Sequence, residues 1–236
     1  TLFFCREMQQ ETNTDSYTGK YLIGESSTIE FFQPKNTAQI GDHLGDLGIE
    51  FKTRKIKMLD EIIEKSKVLK FSVDTSTTIT ILDSLSIPWY KTLSLTNPKN
   101  ELSILEYQAD YLLNLGFTKK QISQSMTFKE YNSILSNGKK YPRQFATVTY
   151  IKLYADKKMI ENLQKFATLN NCRKIENKFT NGETTIEYKE VDNLPEFLIQ
   201  EIGISLLNDQ IFREEKISEN LSIKINGKKA SLIFKT

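Results

Sequence analysis

Glu50 and Lys52 stand two residues apart in the short apolar run Leu47-Gly-Ile-Glu-Phe-Lys-Thr53. The run reads as a strand, and on a strand side chains at i and i+2 point to one face. The acid and the lysine would then project together, with Asp42 and Asp46 arriving just before them. Carboxylates beside a lysine suit metal-dependent phosphodiester cleavage. The carboxylates hold a divalent cation, and the lysine steadies an attacking water or the charge developing on phosphate. The plainer alternative is an ion pair on a solvent face, because the chain carries 30 acidic and 32 basic residues. His43, the single histidine, lies in the same stretch. A lone loop histidine is more often an exposed bystander than a general base.

The elements that must position these residues belong to a chain of 236 residues, enough to bury a sizeable core. Apolar residues make up 39% and charged residues 26%, as in ordinary globular proteins. A net charge of +2 is too balanced to imply nucleic acid globally, so such evidence must come from local patches. Cys5 and Cys172 lie far apart and outside any CxxC pattern, which suits free thiols in a reducing compartment, the cytoplasm. With one histidine and no Cys/His cluster, zinc is not expected. No apolar run approaches the ~18 residues of a membrane span. The chain opens on Thr-Leu-Phe-Phe-Cys without Met, which reads as a fragment of a longer protein.

Residues 1–30 read as helical at first and then as loop around Thr12 to Ser27, with strands over 28–34 and 47–53. Helical spacing over 57–67 puts Leu59, Ile62 and Ile63 on one stripe. Residues 67–73 and the alternation Thr77-Ile79-Ile81 are β-like by composition. Pro88, Pro98 and the Asn97–Asn100 cluster mark a loop. Residues 101–116 are expected to be a helix ending at Gly116. Thr118 can cap a helix over 119–125, and Thr127 with Glu130 forms a capping box for 128–135. A strand over 145–154 and a helix over 156–169 precede a hairpin at Asn181-Gly182. A helix over 194–208 then leads to a closing hairpin, strands 221–225 and 230–234 about Asn226-Gly227. Strands interspersed with helices and several antiparallel hairpins predict an α/β protein, a mixed central sheet flanked by helices, with residues 1–236 forming a single domain.

The run Leu47-Gly48-Ile49-Glu50-Phe51-Lys52-Thr53 resembles the metal-site strand of one nuclease group. That group contains the mismatch-repair nickase MutH and type II restriction enzymes that cut at GATC. The resemblance implies a restriction-endonuclease-like fold, lobes or arms that grip duplex DNA, and Mg²⁺ chemistry. It makes Glu50, Lys52, Asp42 and Asp46 the catalytic residues, with Mg²⁺ on Asp42, Asp46 and Glu50. Where the group places its first acid this chain has His43, flanked by Asp42. The group's early-helix glutamate has its nearest counterpart in Glu25, beside Gly24. Some enzymes that resemble the group carry two related halves, one cutting and one only binding DNA. A fragment that departs from the motif in these two places fits the second, non-cleaving kind, partnered by a related lobe.

Basic patches are the candidate DNA contacts. One is Lys52, Arg54, Lys55 and Lys57, directly after the acid–lysine strand. A second spans the two short helices and their exit: Lys119, Lys120, Lys129, Lys139, Lys140 and Arg143. The third is Lys224, Lys228, Lys229 and Lys235 at the C-terminal end. Phosphate contacts give affinity and make it salt-dependent. Asn137, Arg143 and Gln144, beside Tyr141, are the candidates for reading base edges. The two short helices also have helix-turn-helix spacing, so a DNA-binding regulator without catalysis is the alternative, and a plain interaction domain is a third. Pro88-Trp89-Tyr90 could stack on bases, although such clusters more often pack. Cys5 and Cys172 have no basic or His neighbour in sequence and are not expected to be nucleophiles.

Overall fold

A computed structural model describes residues 5–11, 16–32, 48–82, 84–95, 101–135, 144–194 and 197–235. The strands β1 (Cys5–Glu11), β2 (Ser16–Ile23) and β3 (Thr28–Phe32) form a three-stranded sheet in that order. Next come β4 (Gly48–Lys52), helix α1 (Met58–Val68), β5 (Val73–Leu82), β6 (Leu85–Leu95) and β7 (Glu101–Tyr107). Three short helices follow: α2 (Ala109–Asn114), α3 (Lys119–Ser123) and α4 (Phe128–Leu135). The C-terminal part holds β8 (Phe145–Ala155), α5 (Lys157–Leu169), β9 (Arg173–Ile175), β10 (Lys178–Thr180), β11 (Thr185–Glu190), β12 (Leu198–Lys216) and β13 (Leu221–Phe234). The protein is mixed α/β with several sheets, and its contacts gather into two compact units.

The first unit comprises residues 1–6, 21–30 and 141–236. Its six-stranded sheet has the order β13-β12-β8-β11-β10-β9, with β8 and β11 parallel and the remaining pairs antiparallel. Helix α5 starts where the Asp156 carboxylate accepts the Met159 N–H at 2.8 Å. It buries Met159, Leu163 and Phe166 on the sheet face that carries Leu153, Phe179 and Ile186. A second cluster, Ile29, Phe145, Ile204, Leu206, Ile223 and Ile225, closes the core at the β12–β13 side.

The second unit comprises residues 7–20 and 31–140. Its four-stranded sheet runs β4-β7-β6-β5, with β4 parallel to β7 and the others antiparallel. Helix α1 buries Leu59 and Ile62 and is tied to β6 by the Lys91–Asp60 ion pair at 2.8 Å. Helices α2 to α4 close around Tyr111, Leu112, Phe117, Ile122 and Tyr131. The cap expected at Thr118 forms, as a capping box with Gln121, and the expected capping box of Thr127 with Glu130 forms as well.

Several sequence expectations are corrected. The segment 5–11, read as helical, is strand β1, and Ser16–Ile23, which overlaps the expected loop, is strand β2. Residues 101–107 are strand, not helix; β7 lies between β4 and β6, and Leu102 to Glu106 are all buried. A strand buried on both faces shows no alternation, so its apolar run looks like a helix. Residues 198–208, also expected to be helical, begin the long strand β12, which lies between β13 and β8. The β-like composition of 67–73 is overridden where Lys67 and Val68 finish α1. Pro88 is in β6 rather than a loop; it faces Ile79 beside a register irregularity, where a strand tolerates the missing N–H. The closing hairpin is absent: Leu221–Phe234 is one strand, and Gly227, at φ 59°, faces Gln210 between two register shifts. There Asn226-Gly227 makes a bulge instead of a turn.

Candidate functional site

Strand β4 forms as expected, and its alternation is the sequence's own. Ile49 is buried while Glu50 is exposed. The parallel register sets Ile49 beside Leu102 and Phe51 beside Ile104, on the sheet face that α1 covers. Glu50 then lies beside Ser103, and Lys52 beside Leu105, on the other face. Ser103 Oγ donates to Glu50 Oε2 at 3.4 Å. Lys52 Nζ donates to the Tyr107 hydroxyl at 3.2 Å and lies 5.3 Å from that ring's centroid. The acid and the lysine therefore share a face, and each is met by a β7 side chain of that same face.

The row through Glu50 continues across the sheet as Ser103, Ser94 and Asp74. It is a line of carboxylate, hydroxyl, hydroxyl and carboxylate that the sequence reading missed. Three strand spacings separate its ends, ~14 Å, too far for Glu50 and Asp74 to share one cation. Among the described residues no group of three or more His, Cys, Asp or Glu could hold a metal. Asp42, Asp46 and His43 lie outside the described residues.

Tyr107 also belongs to an aromatic cluster. Its ring stacks on Tyr131 at 4.6 Å between centroids and on Tyr111 at 5.8 Å. Burial pushes the Tyr131 phenol far above its ordinary value, and the neighbouring Tyr107 and Tyr111 hydroxyls add to the rise. Burial raises Tyr111 as well. Both phenols stay neutral at any physiological pH, so neither offers Lys52 a negative charge. Trp89 packs into the same cluster, edge-on to Tyr90 at 4.8 Å, and its Nε1 has no hydrogen-bond partner among the described residues. It is a packing residue more than an exposed stacking platform.

Beyond the strand, the chain turns back over β7. The Thr53 N–H donates to the Leu105 carbonyl, and Thr53 Oγ1 donates to the buried Glu106 carboxylate. The Met126 N–H donates to the Arg54 carbonyl, which ties the α3–α4 connection to the first basic patch. A cavity of about 390 Å³ opens there, lined by Ile56, Lys57, Ala109, Leu113, Lys119, Ile122 and Ser123. Two basic patches that are separate in sequence thus meet at one cavity, through Lys57 and Lys119. Lys119 and Lys120 are exposed on α3, and Lys129 is exposed on α4.

Of the remaining candidates, Gln144 belongs to the first unit, where its side chain accepts from Asn208 Nδ2 at 3.1 Å. Asn137, Lys139, Lys140 and Arg143 lie outside the described residues. Glu25 follows strand β2, not a helix, so the counterpart of the early-helix glutamate is missing in kind. Cys172 is half-buried and burial raises its thiol, which disfavours a thiolate nucleophile. No helix among the described residues is long and apolar enough to cross a membrane.

Residues 1–234 match the model of a family described as a family of unknown function (DUF5829), and the chain belongs to that family. No curated protein and no solved structure matches it.

Proposed function

We propose that the second unit is a restriction-endonuclease-like lobe that binds duplex DNA at a short palindrome such as GATC and meets a phosphodiester with Glu50 and Lys52. The observation that carries this is their joint projection from β4, with Ser103 on the acid and Tyr107 on the lysine. The lysines gathered where Lys57 and Lys119 line one cavity supply the positive surface that phosphates need. Carboxylate and hydroxyl oxygens are the hard donors that Mg²⁺ takes. Glu50 and Ser103 offer two of them, and Asp42 or Asp46 would complete the set. The bound ion would neutralise charge on the phosphate. Lys52, anchored by the Tyr107 phenol, would hold an attacking water or a phosphate oxygen. Cleavage depends on Asp42 or Asp46 joining Glu50; with Glu50 alone the lobe binds without cutting. A second, related lobe would complete the grip on DNA.

The test compares binding and Mg²⁺-dependent cleavage of a GATC duplex by wild type, Glu50→Ala and the triple variant Lys119→Ala/Lys120→Ala/Lys129→Ala. Cleavage lost in Glu50→Ala supports a cutting site. Specific binding without cutting supports the binding lobe. No duplex binding at low salt would sink both. The helix-turn-helix alternative is favoured by the exposed lysines of α3 and α4. It is weakened by the five-residue length of α3 and by Tyr131 of α4, which faces the core. On that alternative the triple variant loses binding, and removing both Glu50 and Lys52 leaves it untouched.

A further inference from the structure

The six-stranded sheet of the first unit has a second face, opposite α5. Across its strands this face carries Glu201 (β12), Tyr150, Lys152 and Tyr154 (β8), Glu187 and Lys189 (β11), Lys178 (β10) and Arg173 (β9). The ladder register fixes the sharing of the face: Glu201 pairs with Lys152, Glu187 with Lys152 and with Lys178, Lys189 with Tyr154. The opposite side is the apolar one, where Phe179 pairs with Ile186 and Lys174 reaches Gln164 of α5.

One tyrosine, Tyr150, is held in place on this face. Tyr150 lies against Gly203, where an added Cβ would sit 2.0 Å from its Cε1. Its hydroxyl is bonded to Glu201 Oε1 and lies 3.2 Å from Ser231 Oγ. A ring fixed before a ligand arrives loses little freedom on binding. Tyr154, four residues further along β8 and so ~13 Å away, has the Lys189 ammonium 5.4 Å from its centroid. The charges are four cations, Lys152, Arg173, Lys178 and Lys189, against two carboxylates, Glu187 and Glu201. Glu187 is paired with Lys178 at 3.1 Å, and the two side chains are 33% and 44% exposed. Lys152 and Arg173 have no carboxylate within ion-pair distance among the described residues.

Aromatic rings, one of them fixed, among unpaired cations are what a single-stranded nucleic acid needs: rings for bases, which all present a π-face, and cations for the backbone. An acidic peptide would use the cations but has no use for the rings. We propose that this face binds single-stranded nucleic acid, with Tyr150 and Tyr154 stacking bases and Lys152, Arg173 and Lys189 meeting phosphates. It is separate from the duplex site proposed above and does not depend on it.

The test is fluorescence anisotropy of the full chain with labelled dT and rU 12-mers at low and rising salt, with polyglutamate as competitor. Tyr154→Ala should weaken binding roughly 5- to 150-fold, the range of one lost base stack. Lys152→Ala/Arg173→Ala/Lys189→Ala should lower the slope of log affinity against log salt by about 2. Glu50→Ala/Lys52→Ala should leave single-strand binding unchanged, so the two sites fail or stand separately. Should Tyr154→Ala not fold, ultraviolet crosslinking of the wild type decides, with adducts expected on β8. The proposal is overturned if wild type binds no single strand at low salt, if adducts map away from β8, or if folded Tyr154→Ala binds as wild type. Polyglutamate displacing the oligonucleotide at equal charge concentration would overturn it too, by showing attraction of charge alone.

Discussion

The Glu106 carboxylate holds the backbone of Leu59: the Leu59 N–H donates to Glu106 Oε2 at 2.8 Å, and Oε1 accepts the Lys57 N–H at 2.9 Å. Thr53 Oγ1 donates to the same Oε2 at 3.2 Å. Lys57, at the N-cap of α1, has a left-handed backbone with φ 71° and no side-chain cap of its own. A buried strand carboxylate from β7 therefore caps α1 and fixes the chain that leaves the Glu50–Lys52 strand. Negative charge at a helix N-terminus is favourable, and its removal leaves buried N–H groups unpaired. Glu106→Ala should destabilise the protein by about 3 kcal/mol in urea unfolding. Glu106→Gln, with one carbonyl oxygen to share, should lose less. Equal stability of all three proteins would refute the cap.

Lys52 and Tyr107 give the second prediction. Tyr107→Phe removes the hydroxyl that receives Lys52 and keeps the ring stacked on Tyr131 and Tyr111. Stability should change by no more than about 1.5 kcal/mol, the worth of one ordinary hydrogen bond. On the proposed duplex function, GATC binding or cleavage should fall by about tenfold, less than in Lys52→Ala, because the ammonium survives but loses its anchor. Unchanged activity in Tyr107→Phe would mean that Lys52 needs no positioning from β7.

How much of this could be read from the sequence differs residue by residue. The common face of Glu50 and Lys52 was legible because a half-buried edge strand keeps its period of two. So were α5, with Asp156 at its start, the Thr118 cap and the Thr127–Glu130 capping box, because their signals are local. Ser103, Ser94 and Asp74 were not legible as neighbours of Glu50. Ser103 lies 53 residues away along the chain, and only the β4–β7 register brings it there. The role of Glu106 was hidden for the same reason, and also because its segment reads as helix when both faces of the strand are buried. The Asn226-Gly227 turn signal failed against a partner strand long enough to pair on both sides of it.

The meeting of Lys57 and Lys119 at one cavity makes a prediction about salt. If both neutralise phosphates, each alanine substitution should lower the slope of log affinity against log salt by about 0.9 on duplex DNA. The effect should be the same on GATC and on scrambled duplexes, since phosphates carry no sequence. A loss confined to GATC would place these lysines on base edges instead.

Acid should release α4 before the sheets. The Thr127 N–H and hydroxyl hydrogen-bond the Glu130 carboxylate and hold its pKa below the ordinary glutamate value. A carboxyl lowered in the folded state stabilises fully above the unfolded value of about 4.3 and stops doing so as pH falls through the lowered one. Proton occupancy at Glu130, followed by NMR, should rise only below that ordinary value, with the Thr127 amide shifting in step. Glu130→Gln should abolish this acid transition. An unchanged Thr127 profile in that variant would assign the transition elsewhere.

Gly203 and Tyr150 supply a test of packing that needs no ligand. Glycine weakens a strand interior, and it persists where another group must approach the backbone closely. Tyr150 is that group, since a Cβ on residue 203 would fall within 2.6 Å of three of its ring carbons. Gly203→Ala must therefore displace the ring, and with it the bonds from its hydroxyl to Glu201 and Ser231. Overpacking of this kind should destabilise by about 1–3 kcal/mol. In Tyr150→Ala the ring is gone, and the added methyl then meets no ring. The double variant should accordingly be more stable than the two single losses summed, by about 1 kcal/mol or more in urea unfolding. Strict additivity would mean that the ring does not rest on Gly203 and that Tyr150 is not preset on this face.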